Sequence, residues 1–192
     1  KEASKEKTKS YIDWFEYHSI KTKIIKCEDD LLEGVLILCG GADVGTKPKR
    51  DKFEKTLIKK ALSLNIPIFG ICRGMQIVNW YLGGVVEDLI NENDHCPNIK
   101  VSMETGTHYL KSVYHEVHDN FGEEFIVNSR HHQHCSILSS KLEPLFWTRD
   151  GTIEAASAEN IFLVQWHPER KELRENKGAS INLINWIKAK LR

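Results

Sequence analysis

The stretch Pro67-Ile68-Phe69-Gly70-Ile71-Cys72-Arg73-Gly74-Met75-Gln76-Ile77-Val78-Asn79-Trp80-Tyr81-Leu82-Gly83-Gly84 decides how this chain folds. A short apolar run opened by proline reads as a strand, and the amphipathic run that stops at Gly83-Gly84 reads as a helix. Between them Cys72 sits at a sharp bend, flanked by glycines in the pattern G-x-C-x-G. A nucleophile on such a strand-to-helix turn needs small neighbours, because the backbone passes too close for side chains. The helix N-terminus behind the thiol favours its ionised form. A buried structural cysteine is the competing reading of Cys72 alone.

A second segment, Val164-Gln165-Trp166-His167-Pro168-Glu169, closes the apolar run that begins at Ile161. Residues two apart on an extended chain point the same way, and Pro168 biases His167 toward extended geometry. His167 and Glu169 can therefore project toward one site. A cysteine nucleophile needs a base to take its proton, and an imidazole base needs a third group to hold its tautomer and charge. Cys72, His167 and Glu169 fill those three roles.

With these residues in place, the chain resembles the class I glutamine amidotransferase-like proteins, which pair a G-I-C-x-G-x-Q elbow with a distant H-P-E. Within them it is most similar to the free-standing γ-glutamyl hydrolases. Three features carry the narrower resemblance: Arg73 directly after the cysteine, the segment Val127-Asn128-Ser129-Arg130-His131-His132-Gln133, and Leu38-Cys39-Gly40-Gly41-Ala42-Asp43-Val44 at a strand end. The resemblance implies hydrolysis of a γ-glutamyl amide through a thioester on Cys72. It implies an oxyanion hole made by the backbone N–H groups of Arg73 and Gly41. It further implies substrate contacts from Gly40, Gln76, Ser129, Arg130, His131, His132 and Gln133. Among compact bacterial relatives the γ-glutamyl-CDP-amidate hydrolase of capsule biosynthesis looks similar. Lys47, Lys49 and Arg50 follow the Gly40-Gly41 turn and are candidates for contacting an anionic leaving group, since cations there suit phosphate or carboxylate. Two alternatives keep the fold and change the role: a glutaminase subunit feeding ammonia to a separate synthetase, and an inactive binding module.

Strands alternating with helices predict one α/β domain over residues 1–192, with a doubly wound, mainly parallel, flavodoxin-like sheet flanked by helices and a strand-rich C-terminal half. Ligands bind such sheets at the carboxyl ends of strands, where Gly40-Gly41, Cys72 and His167 all fall. Helices are predicted over Lys5–Tyr17, Asp51–Leu64 and Ala179–Leu191, and strands at Lys23–Ile25, Gly34–Leu38 and Ile66–Ile71. Shorter strands are expected at Phe125–Asn128, Leu142–Thr148, Thr152–Ala156 and Ile161–Gln165. The resemblance implies a core strand before the first helix, where this sequence opens directly on Lys1-Glu2-Ala3-Ser4; either that strand is missing upstream of residue 1 or the edge of the sheet differs.

The 192 residues carry 27 basic and 27 acidic side chains, so no net field would steer the chain to nucleic acid or membranes. Five irregularly spaced cysteines without C-x-x-C suit reduced thiols and a cytoplasmic location. No cofactor is expected. Metal binding by His131-His132-Gln133-His134-Cys135, with His95 and Cys96, is weighed and set aside: adjacent imidazoles on a strand face opposite ways, and tetrahedral-site spacing is missing. His108, His115 and His118 read as surface or core histidines. The expected partner is a small γ-glutamyl substrate. No synthetase is required, and a homodimer is compatible with the sequence.

Overall fold

The computed structural model describes residues 2–90, 95, 107–112, 124–170 and 177–191. In chain order these form α1 (Glu2–Tyr17), a 3-10 turn (Glu28–Asp30), β1 (Leu36–Leu38), α2 (Pro48–Ser63), β2 (Ile68–Ile71), α3 (Arg73–Tyr81), β3 (Val85–Asp88), β4 (Thr107–Ser112), β5 (Glu124–Asn128), β6 (Gln133–Ile137), β7 (Glu143–Trp147), β8 (Ile153–Ala158), β9 (Ile161–Val164) and α4 (Lys177–Lys190). Among the described residues the main sheet has seven strands, ordered β1-β2-β9-β8-β7-β4-β5, and β3 pairs with β6 in a separate ribbon.

Strict alternation along the central strands builds two cores. Phe69 and Ile71 of β2 and Phe162 and Val164 of β9 face one side, against Trp14 and Phe15 of α1 and Leu183, Ile184 and Ile187 of α4. Ile68, Ile161 and Leu163 face the other, against Leu57, Ile58 and Ala61 of α2 and Met75 and Val78 of α3. Helices thus cover both faces, as the α/β reading predicts. The sheet itself is mixed. β1, β2 and β9 run parallel, while β9-β8, β8-β7, β7-β4 and β4-β5 pair antiparallel. That antiparallel part is the strand-rich C-terminal half.

Two departures have local causes. Lys23-Ile24-Ile25 forms no strand: Ile24 stays exposed, outside the sheet, and the Asp30 carboxylate next accepts the backbone N–H groups of Lys26 and Cys27 at 2.9 and 3.2 Å. The β3–β6 ribbon, which the sequence pattern does not announce, is pinned to α3 by fully buried Asn79. Its amide donates to the carbonyls of Val85 and Ile137 at 3.2 and 3.0 Å and accepts the N–H of Ser139 at 2.8 Å. Cys96, His115 and His118 lie outside the described residues.

Candidate active site

Cys72 occupies the bend between β2 and α3 with φ 53° and ψ −108°, a conformation that a side chain adopts only when its surroundings impose it. The surroundings are visible. The Cys72 N–H continues the sheet by donating to Val164 O at 2.7 Å. A Cβ on Gly74 would lie 1.9 Å from Leu38 O, and one on Gly70 would lie 2.7 Å from a Leu163 methyl and 2.8 Å from the Gly74 carbonyl. Both flanking glycines are therefore steric necessities.

Cys72 and His167 come together because β2 and β9 are hydrogen-bonded neighbours, with Ile71 opposite Val164. His167 is fixed at its backbone by buried Asn128, whose amide donates to His167 O and accepts the His167 N–H, both at 2.8 Å. Its ring Nδ1 lies 2.8 Å from Glu169 Oε1, and Glu169 is almost fully buried. Burial opposes a charged imidazole here, yet the Cys72 sulfur beside it and the Glu169 carboxylate outweigh that cost and push the His167 pKa up to about 10. The imidazole therefore keeps its proton at neutral pH.

Two further side chains enter the site. The Tyr11 hydroxyl, from α1, accepts the Gly40 N–H at 3.1 Å and lies 3.3 Å from His167 Nδ1. Burial, with Glu169, Cys39 and Cys72 nearby, raises the Tyr11 pKa well above the usual phenol range, so it stays neutral. Gln165, one side-chain alternation before His167, turns its amide nitrogen to Cys72 Sγ at 3.6 Å. Neither role is legible as a motif. Tyr11 reads only as one inward position of an amphipathic helix, and Gln165 only as an i−2 neighbour of His167. Asn128 lies inside the quoted V-N-S segment, without a sign of what it holds.

The Gly40-Gly41 turn sits against this cluster. A Cβ on Gly40 would approach the Tyr11 hydroxyl to 2.7 Å and the His167 ring to 2.9 Å, and one on Gly41 would meet the Arg50 guanidinium. Arg50 itself turns inward. It donates to the carbonyls of Cys39 and Gly40 at 3.1 and 3.2 Å and pairs with Glu54 at 2.7 Å, so its side chain braces the turn from behind. Lys47 and Lys49 stand exposed at the start of α2. The Arg73 guanidinium is buried away from the mouth and bonds Asp51 and Glu54, while Asp51 also accepts the Gly45 N–H at 3.0 Å. This acid–base lattice ties the turn, α2 and the first residue of α3 into one block.

The remaining expected residues form a wall on the other side. Gln76 spends its amide donors on Gln133 O at 3.0 Å and Gln165 Oε1 at 3.3 Å, linking α3 to β6 and, through Gln165, to Cys72. Ser129 and His131 are buried, whereas Arg130, His132 and Gln133 are half-buried. His132 reaches across to Asp43 at 3.0 Å, joining this wall to the Gly41 loop. Gln133 donates to Asp88 at 2.9 Å. Cys39 and Cys135 are raised to a pKa of about 12, mainly by burial. A surface cavity of 520 Å³ between α2 and α3, lined by Lys52, Lys55 and Trp80, includes none of Cys72, His167 and Glu169.

Comparison with known proteins fits this geometry. The family model Peptidase C26 matches residues 30–169. YvdE of Lactococcus lactis, a candidate glutamine amidotransferase-like protein, is 34% identical over 78% of this chain and 71% of its own length. The γ-glutamyl-CDP-amidate hydrolase of Campylobacter jejuni is 35% identical over 71% of this chain and 62% of that protein. The γ-glutamyl-γ-aminobutyrate hydrolase PuuD of Escherichia coli is 31% identical over 67% and 56%. The chain thus spans under two thirds of either hydrolase. Among solved structures, a glutamine amidotransferase from Thermotoga maritima superposes with a TM-score of 0.65 at 18% identity, covering 93% of this chain and 83% of that one. A candidate GMP synthase chain from Thermoplasma acidophilum gives 0.72, also at 18%, over 95% and 88%. These two likenesses bear on the fold alone.

Proposed function

From the premise that the chain belongs to the Peptidase C26 family, we propose that it hydrolyses a γ-glutamyl amide with Cys72 as nucleophile, His167 as acid and base, and Glu169 as the partner of His167. The observation that carries this reading is the strained Cys72 turn set beside a buried imidazole that keeps its proton and is held by Glu169 at 2.8 Å. A protonated His167 stands ready to give its proton to the leaving nitrogen.

Sulfur attacks the γ-carbonyl carbon and forms a tetrahedral oxyanion. Its donors would be the backbone N–H of Arg73, one of the orphan amides opening α3, and that of Gly41, since Gly40 already donates to Tyr11. The C–N bond breaks as His167 delivers its proton to the leaving nitrogen, giving the γ-glutamyl thioester. Neutral His167 then takes a proton from water, whose oxygen displaces the sulfur to release glutamate.

The leaving group we favour is anionic, with a γ-glutamyl-CDP-amidate-type substrate first in the panel, because two exposed cations, Lys47 and Lys49, stand where α2 begins beyond the Gly41 turn. Steady-state turnover of nucleotide amidate, γ-glutamyl-GABA, polyglutamate and glutamine tests the reading. Nucleotide amidate should lead, and Cys72→Ala should lose activity on every substrate at least about 10³-fold. Lys47→Ala with Lys49→Ala should cost about 10-fold in kcat/KM on the anionic substrate and little on a neutral anilide. Wild-type turnover by Cys72→Ala would sink the mechanism. Turnover of glutamine alone, only with an added synthetase, would replace the free hydrolase by a glutaminase subunit.

A further inference from the structure

Behind the Ser129–Gln133 wall lies a second cluster that the proposed chemistry does not use. His95, His131 and Glu154 are each at most 3% exposed. Among the described residues they bring one ligating atom apiece, from three separate segments, to within 4.8 Å of one another. His131 and His95 belong to the histidine set whose spacing in sequence does not suit a tetrahedral site; Glu154, from β8, completes the cluster in space.

The hydrogen bonds fix the ring tautomers. His131 Nδ1 lies 3.0 Å from the Gln133 carbonyl, which can only accept, so that nitrogen carries a proton and Nε2 is presented to Glu154 Oε1 at 3.1 Å. His95 Nε2 lies 2.8 Å from Asp150 Oδ2, so its proton sits there and Nδ1 turns toward Glu154 Oε1 at 3.8 Å. Asp150 is in turn held on its other oxygen by Thr148 and by the Thr152 N–H. Each imidazole thus gives its outer N–H to an anchored oxygen and aims its inner nitrogen at one carboxylate. Metal-binding histidines are arranged in this way, the outer acceptor setting the tautomer and raising the basicity of the ligating nitrogen.

Two imidazole nitrogens and a carboxylate oxygen that converge in the interior make a donor set that a divalent cation can bridge. A proton on His131 would answer one contact; a divalent cation answers all three. Zinc at its usual bond lengths places neighbouring tetrahedral ligand atoms about 3.3 Å apart; the His131 and His95 nitrogens stand 3.1 and 3.8 Å from Glu154 Oε1 and the three atoms lie within 4.8 Å of one another, so uptake would draw the two imidazoles closer together. Two imidazoles and a carboxylate suit zinc, leaving a fourth position for water.

We propose that His95, His131 and Glu154 bind one zinc ion, which clamps the His95 segment to β8. The clamp would stiffen the wall from behind, because the His95 carbonyl accepts from Ser129 Oγ at 2.6 Å and from the His131 N–H at 3.0 Å.

The test uses the full chain with Cys72→Ser, which removes the competing thiol beside His167, and reads metal binding rather than turnover. Chelator-stripped protein is titrated with Zn²⁺ by calorimetry and with Co²⁺ by visible absorption. One equivalent should bind, Co²⁺ should show d–d bands of a low-coordinate nitrogen–oxygen site without thiolate charge transfer, and excess zinc should raise Tm by about 5–10 °C. Glu154→Gln should abolish uptake. Asp150→Asn, which leaves all three ligands intact, should weaken it about 10- to 100-fold. No stoichiometric uptake by the folded Cys72→Ser protein overturns the proposal, as does uptake that neither variant diminishes. A Tm that excess zinc leaves unmoved in the folded Cys72→Ser protein overturns it equally.

Discussion

Tyr11 shows what a single side chain adds that no motif announces. Its oxygen accepts the Gly40 N–H and lies beside His167 Nδ1, so it holds the turn and the His167 ring in one geometry. Tyr11→Phe keeps the ring in the core and removes only those polar contacts. Each is worth about 0.5–1.5 kcal/mol, so kcat should fall about 2- to 10-fold with KM nearly unchanged, as steady-state kinetics would read. An unchanged kcat would make Tyr11 a core residue only. Cys72, His167 and Glu169 were legible because their chemistry restricts residue type and spacing. Tyr11, Asn128 and Gln165 were not, because what places them is the packing of α1 and the sheet register, which no local pattern encodes.

At the scale of elements, the lattice of Arg50, Asp51, Glu54 and Arg73 fastens α2 to the Cys72 turn. Arg73 stood out in sequence for its position after Cys72, and its guanidinium turns out to be structural: it joins Asp51 and Glu54 in the interior, 1% exposed. Arg73→Leu keeps the backbone N–H but leaves buried Asp51 without its cation and Glu54 with Arg50 alone. We expect a loss of about 3–5 kcal/mol in urea unfolding, far more than a surface pair would give. A loss below about 1 kcal/mol would mean that the carboxylates find other partners. Helix boundaries were readable to within a few residues from proline and apolar spacing. The false strand at Lys23–Ile25 and the unforeseen β3–β6 ribbon were not, since Ile24 of the one stays exposed outside the sheet and the other depends on Asn79, 58 residues before Ile137.

For the whole molecule, the raised pKa of His167 makes stability depend on pH with a definite sign. The folded state holds a proton that the unfolded chain releases near 6.5, so this contribution is complete below that pH and fades as pH rises toward about 10. Thermal melts should show Tm falling across that window. Cys72→Ala removes the leading charge that raises the pKa, and its Tm should fall less over the same range; parallel curves would refute the assignment. A different consequence follows from the β2–β9 pairing. Cys72 and its Gln165 neighbour are 93 residues apart, and Tyr11 joins from the first helix. No fragment of the growing chain holds this site, and pairing across so long a loop is slow to form. During refolding, the return of activity should therefore lag the recovery of helical signal. On the proposed mechanism, Cys72 gains His167 beside it only once β2 and β9 pair, so an unfinished chain would hold the thiol without its imidazole.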